Sequence, residues 1–309
     1  MPYIEFTRRK LKEITASLES VLTEKTFCIV GHGSYAREEA CEDSDIDFQI
    51  IYSSKLPDDK DEVEEIQKII INELQKHVSN LPSQEGAFNS VTCLNDMIIN
   101  IGGEHDLNGK MTRRMLLLLE SVCLYNSDCY EFINTAVIES YASLLIEDTH
   151  LTLLLLNDII RLYRTICVDF NYKTIEGDKP WGIRKVKLVF SRKLLYFSGV
   201  ASVAETVNLS AWEKRKKIAE LFKLKPTDRI ESIFGEQSKS VLTSYKKFMD
   251  IIIVAENRQE LKEVTPDTST HTQLYIELKK QGRVFTDDLI ALFRNRYEEA
   301  HEIRRMILM

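Results

Sequence analysis

Gly33 and Ser34 are followed, after ten intervening residues, by two aspartates, Asp45 and Asp47, with one apolar residue between them. Alternation along a strand sends residues i and i+2 to one face, so Asp45 and Asp47 are expected to project together. Their Cα atoms then lie roughly 6.6 Å apart, at about 3.3 Å per residue. Such a pair of carboxylates suits two Mg²⁺ ions about 3.5–4 Å from each other. The Gly-Ser turn offers backbone N–H groups that no side chain covers, together with a hydroxyl, for holding a polyphosphate. A phosphate cradle and metal-binding carboxylates in one short unit point to phosphoryl or nucleotidyl transfer.

Two apolar runs must position these groups. Residues 27–30 lead into the Gly-Ser turn, and residues 46–52 carry the aspartates at their head; both read as strands. Before them, Leu11, Ile14, Leu18, Val21 and Leu22 recur at helical spacing, which predicts a helix over 7–24 packed on the sheet. Pro57-Asp58-Asp59 reads as a turn, residues 62–78 as a helix, Leu81-Pro82-Ser83 as its break, and residues 87–94 as a further strand. Gly102-Gly103 interrupts the chain, and residues 112–125 read as a strongly apolar helix. This strand–helix–strand alternation predicts a small α/β domain over residues 1–130. Residues 131–309 read as helical, with helices over 132–147, 151–172, 183–198, 212–222, 229–255 and 286–308. Thr286-Asp287-Asp288 reads as the cap of the last of these, while Pro226 and residues 266–270 read as loops. The expected fold class is α+β, a small α/β domain followed by an all-helical bundle.

The order Gly-Ser, spacer, Asp-apolar-Asp resembles the signature of the nucleotidyltransferases of the DNA polymerase β superfamily. Residues 33–51 are most similar to the minimal nucleotidyltransferases and the PII-protein uridylyltransferases. Those families usually read Gly-Ser-x-Ala-Arg-Gly-Glu-Ala, a few polar residues, then Ser-Asp-Ile-Asp. Gly33, Ser34, Ala36, Arg37, Glu39, Ala40, Ser44, Asp45, Ile46 and Asp47 match. Glu38 departs, standing where the family has glycine. A lone Asp-x-Asp reads more readily as a solvated strand end; matches in this order between two apolar runs make that reading a poor one. The resemblance implies Asp45 and Asp47 as catalytic metal ligands, Mg²⁺ or Mn²⁺ as cofactor, and Gly33, Ser34 and Arg37 as nucleotide-binding residues.

The resemblance also implies a third carboxylate on a later strand. Glu85, Asp96, Glu104 and Asp106 are the nearby acids, and Asp106, in the Gly102–Asp106 cluster ahead of the apolar helix, is the chosen catalytic candidate. Farther on, Gly182-Ile183-Arg184 loosely resembles the Gly-Gly-Leu-Arg-Asp segment of the uridylyltransferases, which makes Arg184 a nucleotide-binding candidate. Basic side chains in the first turns of a helix oppose its dipole unless an anion lies near them, and a solvated basic face is the equal alternative. Arg161 and Arg164 share a helix face and read as structural ion-pair partners, with Asp158 close by. Arg37 has Glu39, Glu42 and Asp43 as competing partners. His32 reads as a backbone contributor to the turn rather than a catalytic group.

Composition narrows the alternatives. Hydrophobic residues make up 44% and charged residues 29%, an ordinary globular balance. The net charge of −7, from 41 basic and 48 acidic residues, disfavours broad nonspecific nucleic-acid binding. The six cysteines lack paired zinc spacing and read as core thiols. No apolar run reaches a bilayer-spanning length and the N-terminus has no signal-like apolar stretch, so no membrane association is expected and a reducing cytoplasm fits. No Gly-x-Ser-x-Gly elbow and no Walker-type Gly-Lys-Ser/Thr occurs.

The leading reading is a Mg²⁺-dependent nucleotidyltransferase that moves an NMP from an NTP to an acceptor hydroxyl and releases pyrophosphate. The acceptor is a protein side chain, a small molecule or an RNA end; acidic charge disfavours RNA, and the uridylyltransferase resemblance favours protein. The competing readings are a non-catalytic nucleotide-sensing module and the toxin half of a toxin–antitoxin or defence system.

Overall fold

The computed structural model describes residues 2–78, 90–177 and 179–308. Two compact units result, Met1–Ser143 and Leu144–Met309. The fold is α+β, a small mixed sheet with helices followed by helices alone. In the first unit the order is α1 (Pro2–Val21), β1 (Phe27–His32), α2 (Gly33–Ala36), β2 (Phe48–Tyr52), α3 (Lys60–Gln75), β3 (Ser90–Cys93), α4 (Leu94–Ile98), α5 (Asn108–Leu119), β4 (Ser121–Tyr125) and α6 (Ser127–Tyr141). The expected domain end near residue 130 falls inside α6, which packs on β1, α4 and α5 within the first unit.

The sheet runs β3-β2-β1-β4. β1 is antiparallel to both neighbours, and β2 is parallel to β3. Every residue of β1 and β2 is buried, as suits central strands covered on both faces. Phe27, Ile29, Phe48, Ile50 and Tyr52 form one core with Ile14 and Leu18 of α1 and Ile70 and Leu74 of α3. Helical periodicity in residues 7–24 and 62–78 therefore marks helices that cover this face. The expected strand over 87–94 is described only from Ser90, and the expected break at residues 81–83 lies outside the described residues.

One strand was not expected. Residues 112–125 read as a single helix, yet α5 ends at Leu119 and the chain turns into β4, which pairs with β1. The apolar run from Met115 continues to Leu124 with only Glu120 and Ser121 between, and neither is a Gly or Pro breaker. Pairing with β1 decides the conformation, a tertiary effect that local pattern does not carry. Asn126 then reverses the chain in a left-handed conformation (φ 61°). Its amide donates to the carbonyls of Phe27 (2.8 Å) and Lys25 (3.0 Å), and its oxygen caps α6 at the Cys129 N–H.

The second unit is helical: α7 (Leu153–Ile175), α8 (Trp181–Lys187), a π turn (Leu188–Arg192), α9 (Lys193–Ala204), α10 (Ala211–Phe222), α11 (Pro226–Phe234), α12 (Lys239–Ile252), α13 (Ala255–Glu263), α14 (Gln273–Arg296) and α15 (Glu302–Leu308). The single helix expected over 229–255 is broken at Gly235, whose φ of +55° ends α11. Pro226, read as a loop, is the first residue of α11, where proline's fixed φ is favourable. Thr286, read as a cap, lies within α14 and donates to the Gly282 carbonyl at 2.7 Å. Buried cations here bond to carbonyls: Lys214 to those of Asp148 and Thr206 (2.7 Å each), Arg229 to those of Leu221 and Leu224 (2.9 Å each). Among the described residues no helix is long and apolar enough to cross a membrane.

His32, at the end of β1, is fully buried beside Gln49, with Nδ1 3.2 Å from the Glu120 carbonyl oxygen. Burial lowers its pKa below the ordinary 6.5, so the folded state holds it neutral while the unfolded chain still takes up a proton. Where the unfolded state binds more protons, stability falls as pH drops. Urea unfolding of the wild type is therefore expected to show stability decreasing from about pH 7 to about pH 5, with a shallower slope in His32→Gln.

Candidate active site

The site forms where β1 ends and β2 begins. The His32 N–H donates to the Asp47 carbonyl at 2.8 Å, so this antiparallel bond brings the turn after β1 beside the residues before β2. Gly33 opens α2 with φ +67°, and a Cβ built on it would sit 3.1 Å from Asp47 Oδ2. Both observations favour glycine: the conformation is left-handed, and a Cβ would crowd the carboxylate. Ser34 is half-buried beside it, Asp47 is half-buried and Asp45 exposed. The two aspartates precede β2 rather than lying within it.

Hydrogen bonds fix the turn after the cradle. The Arg37 N–H donates to the Gly33 carbonyl (3.1 Å) and the Glu39 N–H to that of Ser34 (2.8 Å). Arg37 Nε donates to Glu39 Oε2 at 2.7 Å, and its Nη1 bonds to the buried Glu120 carboxylate. Of the partners weighed for Arg37, Glu39 is present; Glu120 was missed, because it appeared to lie inside a continuous helix. Arg37 thus acts within the protein as a strut between the cradle turn and the start of β4. Tyr35, buried under the same turn, has its hydroxyl pushed up to about 12 by burial and by Cys41 and Asp45.

Glu38 stands where the resemblance expects glycine. Its φ is +57°, the left-handed region. Arg8 of α1 grips its carboxylate through Nε (3.0 Å) and Nη2 (2.9 Å).

Asp106 has another job. Arg114 Nη1 and Nη2 each bond one of its oxygens at 2.7 Å, and the Gly102 N–H donates to Oδ2 at 2.9 Å. Arg114 also bonds Tyr141 Oη (2.8 Å) and the Met97 carbonyl (3.2 Å). The pair is buried and ties α4, α5 and α6 together. Asp96 and Glu104 are exposed, and Glu85 lies outside the described residues. The described part of β3, Ser90–Cys93, contains no acid. Arg184 is half-buried on α8 of the second unit, and Arg161 lies 3.8 Å from Asp158 as expected.

Among the described residues no group of three or more His, Cys, Asp or Glu forms a cage for an ion. Two oxygen ligands nevertheless suit a hard divalent cation, which is commonly held by one or two carboxylates and completed by substrate phosphates and water. Residues 10–86 match the family described as polymerase beta, nucleotidyltransferase, so the first unit carries a nucleotidyltransferase domain of the polymerase β superfamily. No curated protein matches the chain.

The left-handed position yields a comparison free of side-chain effects. Glu38→Gly and Glu38→Ala both lose the Arg8 pair, but only alanine retains the backbone strain. Thermal unfolding is expected to find the glycine variant more stable than the alanine variant by about 1 kcal/mol. For the buried pair, Asp106→Asn is expected to cost about 3 kcal/mol in urea unfolding, because it strands the Arg114 charge.

Proposed function

We propose that this protein is a divalent-metal-dependent nucleotidyltransferase that transfers an NMP from an NTP to an acceptor hydroxyl. The observation that carries the reading is the contact of Gly33 with Asp47: a glycine held in a left-handed turn leaves room for the carboxylate at the mouth of a Gly-Ser cradle. Asp45 and Asp47 hold the cation, Mg²⁺ or Mn²⁺. The backbone N–H groups around Gly33 and the Ser34 hydroxyl hold the terminal phosphates of the NTP. The metal supplies charge neutralisation at the phosphoryl oxygens.

The chain's own part is positioning. The His32–Asp47 backbone bond fixes cradle and carboxylate relative to each other, and the Arg37 strut holds the turn that carries Ser34. The acceptor oxygen bonds to the α-phosphorus, the bond from that phosphorus to the bridging oxygen breaks, pyrophosphate leaves, and the hydroxyl proton passes to solvent. Asp106, with both oxygens engaged by Arg114, is left out of this set. Arg184 is assigned to nucleotide binding on its motif alone. A protein side chain is the favoured acceptor, on the uridylyltransferase resemblance.

One observation favours a second reading. The described part of β3 carries no acid, and a site that binds through Asp45 and Asp47 alone suits nucleotide sensing without turnover. Incubation with each α-labelled NTP, Mg²⁺ and a cell lysate separates the two readings: label transfer with pyrophosphate release supports the enzyme, and saturable binding without release supports the sensor. For the enzyme, Asp45→Asn and Asp47→Asn are each expected to reduce transfer by at least about a hundredfold while the circular dichroism spectrum stays unchanged. Undiminished transfer in either variant overturns the assignment.

A further inference from the structure

The second unit holds a cavity of about 410 Å³ between α8, the π turn and α14. Its floor is apolar, from Val186, Val189, Phe190, Tyr275 and Leu278. Lys185, Lys193, Lys279 and Arg283 also line it, with Asp287 as the one acid. Four cations against one carboxylate give this cavity a local excess of positive charge in a chain whose net charge is −7.

Two of these cations are held in place. Lys193 donates to the Thr286 hydroxyl at 2.7 Å, a neutral partner. The Lys185 ammonium lies 5.3 Å from the centre of the Phe170 ring. Burial and the Lys185 charge push the Lys193 pKa down, and Asp287 only partly offsets them. Two like charges kept close in a half-buried place carry a repulsion that a bound anion would relieve.

The backbone around the cavity is also irregular. Val189 and Phe190 stand on the π turn (Leu188–Arg192), a rare conformation often found where a helix serves a site. Opposite them, Gly282 lets α14 approach so closely that a Cβ there would lie 2.6 Å from Val189 Cγ1.

We infer that this cavity binds a phosphorylated small molecule of nucleoside-phosphate size, its phosphates among Lys185, Lys193, Lys279 and Arg283 and its apolar body on the Val186–Phe190–Leu278 floor. The volume lies within the range of small-molecule sites. Binding here is independent of turnover at the Gly-Ser cradle.

The test is calorimetric titration of ADP, adenosine and inorganic pyrophosphate into the full chain carrying Asp45→Asn and Asp47→Asn, with EDTA present to weaken binding at the cradle. ADP is expected to bind at least about tenfold more tightly than adenosine, as hydrogen bonds from charged donors contribute at this level. It should also bind more tightly than pyrophosphate, which cannot use the floor. Lys185→Met with Lys193→Met is expected to weaken ADP by about tenfold or more. Lys279→Gln with Arg283→Gln alters only exposed side chains, so folding is not at risk, and should weaken it several-fold. Asp287→Asn should tighten it. Absence of ADP binding, or ADP binding that neither cation pair affects, overturns the inference; equal affinity for ADP and pyrophosphate overturns the role of the floor.

Discussion

The site depends on one backbone hydrogen bond, from His32 N–H to the Asp47 carbonyl, at the open end of the β1–β2 ladder. Everything beyond it on β1 is the cradle, and everything before it on β2 is the acidic segment. The bond is protected because both strands are central and buried on both faces, so the register is set by two packed cores rather than by the turn itself. Moving either strand by one residue would turn the Phe48–Ile50–Tyr52 face away from α1 and α3 and separate Gly33 from Asp47.

Local structure was legible where it depends on residue type at fixed spacing. The Gly-Ser turn, the paired aspartates and the helices covering the first core follow from the pattern of residues 7–78. What was missed is tertiary. β4 has no local break before it and is a strand because β1 offers it an edge, and once β4 is read as helix Glu120 disappears as a partner for Arg37. Asp106 was chosen for its place in a glycine-rich cluster; only the folded chain brings Arg114 onto both of its oxygens. In the second unit, a proline that starts a helix and a glycine that ends one were indistinguishable from loop signals, and Thr286 had the composition of a cap in the middle of α14.

The two units handle charge in different ways. In the first, buried cations meet carboxylates: Arg37 with Glu39 and Glu120, Arg114 with Asp106. In the second, Lys214 and Arg229 meet backbone carbonyls, and Arg229 does so where α10 ends. In both units these bonds hold a buried cation in place and tie neighbouring segments together.

Glu38 shows what happens when a position that wants no side chain acquires one. The backbone keeps the shape that glycine would take, and the carboxylate reaches Arg8 on the first helix. The turn is thereby moored to α1. The order of this turn is thereby a property of the whole first unit, because loosening the amino-terminal helix would also loosen the loop that presents Ser34.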